Sequence, residues 1–100
     1  MMEPFQRFKN TITNGNLWIY ILALAKENHL QKSKVESLIF EKFGFLPNKI
    51  TVQIVLKKLE NQEYLKKEKY HGEKSFRITK KGEEELKKMK DFSQDLLKKI

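Results

Sequence analysis

Nine consecutive residues, Leu17 to Ala25, read Leu-Trp-Ile-Tyr-Ile-Leu-Ala-Leu-Ala and carry no charge. The run is about half the length needed to cross a bilayer. It therefore has to be buried inside a folded domain. Wound as a helix to about Asn28, it places Leu17, Tyr20, Ile21 and Leu24 on one stripe. Trp18, Leu22 and Ala25 form a second stripe. A helix that is apolar on two sides must be covered on two sides. The domain core can cover one side, and something else must cover the other.

The rest of the pattern supplies that core. The first dozen residues read as an arm, with a short turn at Asn14-Gly15. A second helix is expected to open with a capping box, Ser33 with Glu36. Val35, Leu38, Ile39 and Phe43 would face inward, and Gly44 would end the helix. A third helix should run from an Asn48 N-cap to about Asn61, with Val52, Val55, Leu56 and Leu59 inside. Its outer face is Ile50, Ile54, Lys57, Lys58 and Asn61, flanked by Thr51 and Gln53. Two isoleucines opposite a core stripe are unusual for a purely solvated face.

Tyr64–Tyr70 and Lys74–Thr79 read as strands around a type II′ turn at Gly72-Glu73. That centre would pair Lys69 with Phe76 and Lys67 with Ile78, with Leu65 on the same face. Toward its tip the hairpin carries Lys66, Lys67, Lys69, Lys74 and Arg77. A last helix follows a Thr79 N-cap, with Glu83, Glu84 and Glu85 in its first turn, where the helix dipole favours acids. Leu86, Met89, Ser93, Leu96, Leu97 and Ile100 lie along one stripe with Phe92 beside it. At 1.5 Å per residue the helix is about 28 Å long, more than the rest of the chain can cover. A homodimer would bury this stripe and the second face of the first helix together. The predicted interface is Trp18, Leu22, Leu86, Met89, Phe92, Leu96 and Ile100.

The chain has 100 residues, enough for one modest core. Its net charge of +8 is unevenly spread. Met1–Pro47 holds six bases and four acids, Asn48–Lys81 ten and four, and Gly82–Ile100 five and five, giving +2, +6 and 0. A polyanion-facing surface over the third helix and the hairpin accounts for that placement. A lysine-rich solvated surface is the plain alternative. Cysteine is absent, which removes disulfides, thiol nucleophiles and thiolate metal sites. His29 and His71 are the only histidines, and neither has a carboxylate at metal-ligand spacing. His71 reads as a turn residue, and His29 as the end of the first helix or a short strand after it. No glycine motif cradles a phosphate. We expect no enzyme, no metal and no cofactor. The start, Met1-Met2-Glu3-Pro4, lacks the regions of a signal peptide, and the expected location is cytoplasmic and nucleoid-associated, without a membrane.

Helix, helix, helix, basic hairpin, helix is the order of a winged helix-turn-helix, an α+β, mainly α fold. It divides the chain into a DNA-binding domain with its arm at 1–80 and a C-terminal dimerisation helix at 81–100. Double-stranded DNA is the expected partner, with the third helix in the major groove and the hairpin along the phosphates. The predicted contacts are Asn48, Lys49, Thr51, Gln53, Ile54, Lys57, Lys58, Lys66, Lys67, Lys69, Lys74 and Arg77.

Leu17–Leu22, Thr51–Glu60 and Phe76–Gly82 together resemble PadR-like transcriptional regulators, a likeness running from about Thr13 to Leu86. The resemblance implies a dimeric winged-helix repressor whose C-terminal helix pairs with its partner. It implies DNA contacts from Thr51, Gln53, Ile54, Lys57 and Lys58, and a dimer through Trp18, Leu22 and the last helix. Gln53-Ile54 stand where the family usually has Tyr-Pro, and Glu63 where it often has Gly. The resemblance also leaves room for a small-molecule effector, with Trp18 and Tyr20 as its candidate pocket; aromatics at helical spacing are more often core. Two other readings stay open. One is an architectural chromatin protein with little sequence preference, favoured by the single arginine of the basic third. The other is a winged helix that binds protein and never DNA.

Overall fold

The chain runs α1 (Pro4–Ile12), α2 (Leu17–Glu27), β1 (Leu30–Gln31), α3 (Val35–Phe43), α4 (Lys49–Asn61), β2 (Leu65–Tyr70), β3 (Glu73–Ile78) and α5 (Lys80–Lys99). This is a computed structural model, and it describes residues 3–100. Met1 and Met2 of the expected arm lie outside the described residues.

The arm expected at the start is instead a helix. Pro4 sits in its first turn, where a fixed φ suits helix entry. Phe5, Phe8 and Ile12 then recur at helical spacing and stay exposed. A 3-10 turn at Asn14–Asn16 leads into α2. The Tyr20 hydroxyl donates to the Ile12 carbonyl at 2.5 Å and fastens the turn to α2. Burial pushes the Tyr20 phenol above its ordinary pKa.

Helix α2 is central, as its composition requires, and packs on α3, α4, α5 and β3. Its second stripe, however, is largely filled within the chain. Leu22 is 0% exposed and Ala25 is equally buried. The first turns of α5 supply the cover, with Leu86 3% exposed and Met89 packed beside it. Leu22 and Leu86 are thus core residues and offer no surface to a partner. Of the other residues predicted for a dimer interface, Phe92, Leu96 and Ile100 are exposed, and Trp18 and Met89 are half-buried.

The capping box before α3 does not form. Lys32–Lys34 make a 3-10 turn, and Lys34 at the N-cap makes no side-chain bond. Ser33 donates instead to Glu73, forty residues away, because β1 lies against β3 and brings that carboxylate over the turn. Gly44 closes α3 in the left-handed conformation, φ 82°.

Helix α4 begins as predicted. The Asn48 side chain accepts from the Thr51 amide at 3.0 Å. The Asn48 amide donates to Asn14 Oδ1 at 3.1 Å and ties the cap to the N-terminal turn. Val52, Leu56 and Leu59 face the core. The helix exits through Glu63 at φ 63°, the left-handed region that favours glycine.

The sheet is three-stranded and antiparallel in the order β1-β3-β2. The hairpin register differs by two residues from the sequence expectation. Lys69 lies opposite Lys74 and Lys67 opposite Phe76. The turn is His71-Gly72, with φ 53° and 74°. Two left-handed residues define a type I′ turn, whose twist matches the strands better than II/I forms do. A shift of two keeps every side chain on its predicted face, so Leu65, Phe76 and Ile78 still share one core side. Thr79 caps α5 by accepting from the Gly82 amide at 3.1 Å. Past Met89, α5 is exposed at every residue but Ser93, and the molecule is 46 Å along its longest axis. Among the described residues, no helix is long and apolar enough to cross a membrane.

Candidate nucleic-acid interface

Helix α4 turns two kinds of surface away from the core. Ile50 and Ile54 are 72% and 50% exposed, with Lys57 and Lys58 following them. Lys49 and Gln53, one turn apart, face a concavity shared with the hairpin. That concavity is lined by Lys32, Ser33, Glu36, Lys49, Gln53, Glu73 and Lys74. It continues into a second, lined by Lys32, Gln53, Lys57, Lys74 and Phe76 with Leu56 and Glu60. Gln53 therefore sits among four ammonium groups drawn from α4, the turn before α3, and the wing.

Lys32 was not anticipated by sequence reasoning. It stands on a different element, and only the β1–β3 pairing swings it beside Gln53. The acids of the concavity are partly engaged. Glu73 accepts from Gln31 Nε2 at 3.1 Å and from Ser33. Glu36 keeps one shielded carboxylate oxygen without a partner.

The wing separates its bases onto two faces. Lys67, Lys69 and Lys74 share the face of Leu65 and Phe76, which looks toward the core at the root and continues outward to the tip. Lys74 Nζ lies 5.6 Å from the Phe76 ring centre. Lys66 and Arg77 lie opposite one another on the other face. Two of the six cross-strand pairs are therefore like-charged, Lys69 with Lys74 and Lys66 with Arg77. Directly opposed like charges destabilise a ladder.

The remaining predicted contacts divide. Thr51 is half-buried, its hydroxyl within 3.2 Å of Asn48 Oδ1, so it belongs to the cap. Lys58, one turn after Ile54, faces away from the Gln53 concavity. It lines a cavity of ≈ 310 Å³ with Trp18, Leu22, Val55, Leu59, Gln62, Tyr64 and Glu85. Tyr20 is not in that cavity. Its ring meets Phe43 and Phe45 edge-on at 4.8 and 5.0 Å. Lys81 of the basic third is also occupied, donating to the Gln62 carbonyl at 2.8 Å and lying over Tyr64. Among the described residues, no three His, Asp or Glu side chains converge on a point where a metal could bind.

Three core helices, a strand-paired basic hairpin and a capped helix behind it define the winged helix-turn-helix fold. Solved structures share it. A PadR family transcription regulator from Clostridium difficile R20291 superposes with a TM-score of 0.73 at 20% identity, over 84% of this chain and 93% of that one. A transcriptional regulator from Clostridium thermocellum gives 0.74 at 20% identity, over 99% and 93%. F93 from STIV, a winged-helix DNA-binding protein, gives 0.71 at 20% identity, over 86% and 91%. No protein family's sequence pattern and no curated protein matches the chain.

Proposed function

We propose that this chain is a DNA-binding transcription regulator of the PadR type, acting as a dimeric repressor on a two-fold site. The observation that carries the reading is the concavity around Gln53, where Lys32, Lys49, Lys57 and Lys74 surround one amide side chain on the exposed side of α4. Gln53 can pair bidentately with adenine, and Ile54 can pack on a thymine methyl. Lys67, Lys69 and Lys74 are flexible point charges suited to phosphates. The likeness in shape to DNA-binding regulators supports the same assignment. In the dimer, the exposed end of α5 pairs with its counterpart. The seat we assign to a small-molecule effector is the cavity beside Trp18.

The architectural alternative draws on one specific observation. Arg77 is the only arginine of Asn48–Lys81, and bidentate arginine is the commonest base reader. Titrations on a selected and a scrambled duplex separate the two readings. Gln53→Ala or Ile54→Ala should cost about 1–3 kcal/mol on the selected site and little on the scrambled one. Equal losses on both would hand the lead to the architectural reading. With six to ten phosphates contacted, affinity should fall by about 10³ to 10⁵ between 50 and 200 mM salt. A flat salt dependence would remove this surface as the DNA face.

A further inference from the structure

Helix α4 keeps isoleucine at two outward positions. Val52, Leu56 and Leu59 mark its core side, and at 3.6 residues per turn Ile50 and Ile54 fall nearly opposite them. Both are exposed, and neither packs against the core. The choice does nothing for the helix itself. A β-branched side chain loses χ1 freedom there, and an exposed position is better filled by lysine, glutamate or alanine. Single exposed apolar residues are ordinary, but this pair has a particular setting. Four residues apart, the two are surface neighbours with about 5–6 Å between their Cβ atoms. On one side of them lies the concavity of Gln53, Lys49, Lys57, Lys32 and Lys74. On the other side lies Lys58. The pair forms an apolar ridge between two sets of ammonium groups.

One polyanion matches that section. The DNA major groove admits a helix between two rows of phosphates, and the apolar group on its floor is the thymine methyl. We propose that Ile50 and Ile54 together read two thymine methyls one or two base pairs apart, which makes Ile50 a specificity-determining residue. The inference rests on the DNA-binding reading above and narrows it to half-sites that hold such a thymine pair. Base pairs rise about 3.4 Å, so a ridge of about 5–6 Å reaches methyls one or two steps apart and no further. Cytosine is rejected at either position for a stated reason. It would turn its N4 amino group toward an isoleucine, which cannot accept the hydrogen bond. Gln53, beside the ridge, takes an adjacent adenine. The lysines on either side hold the phosphates and leave the sequence choice to the ridge.

The test begins with selection of preferred duplexes by the full chain from a random library. Each selected thymine is then replaced by deoxyuridine, which removes the methyl and keeps the base pair and the phosphates. Wild type should bind about fourfold more weakly when either of two thymines in a half-site is replaced, and about sixteenfold more weakly with both. Ile54→Ala should lose sensitivity to one of these replacements and keep the other, and Ile50→Ala should do the reverse. Both side chains are exposed, so the denaturation midpoints and the salt slopes of the variants should match wild type. The inference fails if the selected sites lack such a thymine pair, or if deoxyuridine binds as well as thymine. It fails equally if both variants keep the full sensitivity, since the loss then comes from duplex shape. Variants that bind the selected duplex as tightly as wild type would assign the ridge to a protein partner instead. In each of these outcomes the DNA-binding reading survives. Wild type that binds no duplex overturns that reading and this inference with it.

Discussion

Gly82 shows how much can depend on one missing methyl group. It lies in the first turn of α5, buried under the start of β2. A Cβ there would stand 2.4 Å from the Tyr64 carbonyl oxygen and 2.7 Å from Ile78 Cγ1. The oxygen is backbone and already accepts from the Thr79 amide, so it cannot give way cheaply. Gly82→Ala should therefore destabilise the fold by about 1–3 kcal/mol or more, seen as a lowered denaturation midpoint. An unchanged midpoint would mean that α5 is not seated as described. Nothing local in Lys81-Gly82-Glu83 announces that constraint. Glu63 and His71 are similar, since both adopt left-handed φ without being glycine, and only the chain's path through each turn requires it.

Among the elements, the wing gives the sharpest test, because its charges set stability against function. Lys69 and Lys74 face one another across the ladder. Lys69→Glu replaces a repelling pair by an attracting one and should raise stability by about 0.2–1 kcal/mol. The same change should weaken binding to any duplex and lower the salt slope by about one. A variant that is more stable yet binds DNA as wild type does would detach the wing from the phosphate backbone. The hairpin itself was legible from alternation and turn residues. Its register was not, because Gly72 fits either a II′ turn starting at Gly72 or a I′ turn ending there. Helix α4 was legible almost to the residue, since Asn48, Thr51 and the Val52, Leu56, Leu59 stripe all act within a few positions of one another. The start of α3 was misread because Ser33 found a better partner outside its own helix.

For the molecule as a whole, the open question is what covers the end of α5. Phe92 is 72% exposed, and Leu96, Leu97 and Ile100 are exposed with it. Leu86 and Met89 already complete the core, so truncation after Met89 should leave a folded chain. Sedimentation at about 50 micromolar should find wild type dimeric and the truncated chain monomeric. A monomeric wild type would sink the dimer. The apolar first helix, which suggested a partner from sequence, carries less of that argument than expected, since α5 of the same chain fills its second face.

The sequence alone determined the buried α2, the caps at Asn48 and Thr79, the existence of a basic hairpin, and the concentration of charge on it, but not the N-terminal helix, the start of α3 or the hairpin register. Periodicity and capping are local physics, and a single strand of letters contains all their terms. The folded chain decided the rest. It set Lys32 beside Gln53 and Lys74, gave Ser33 to Glu73, buried Leu22 and Leu86 in one core, and placed His29 between Glu68 and Arg77. Each of those contacts joins residues that are remote in the chain. They exist because β1 pairs with β3 and α5 packs back onto α2, and no spacing within one segment encodes which segments will meet.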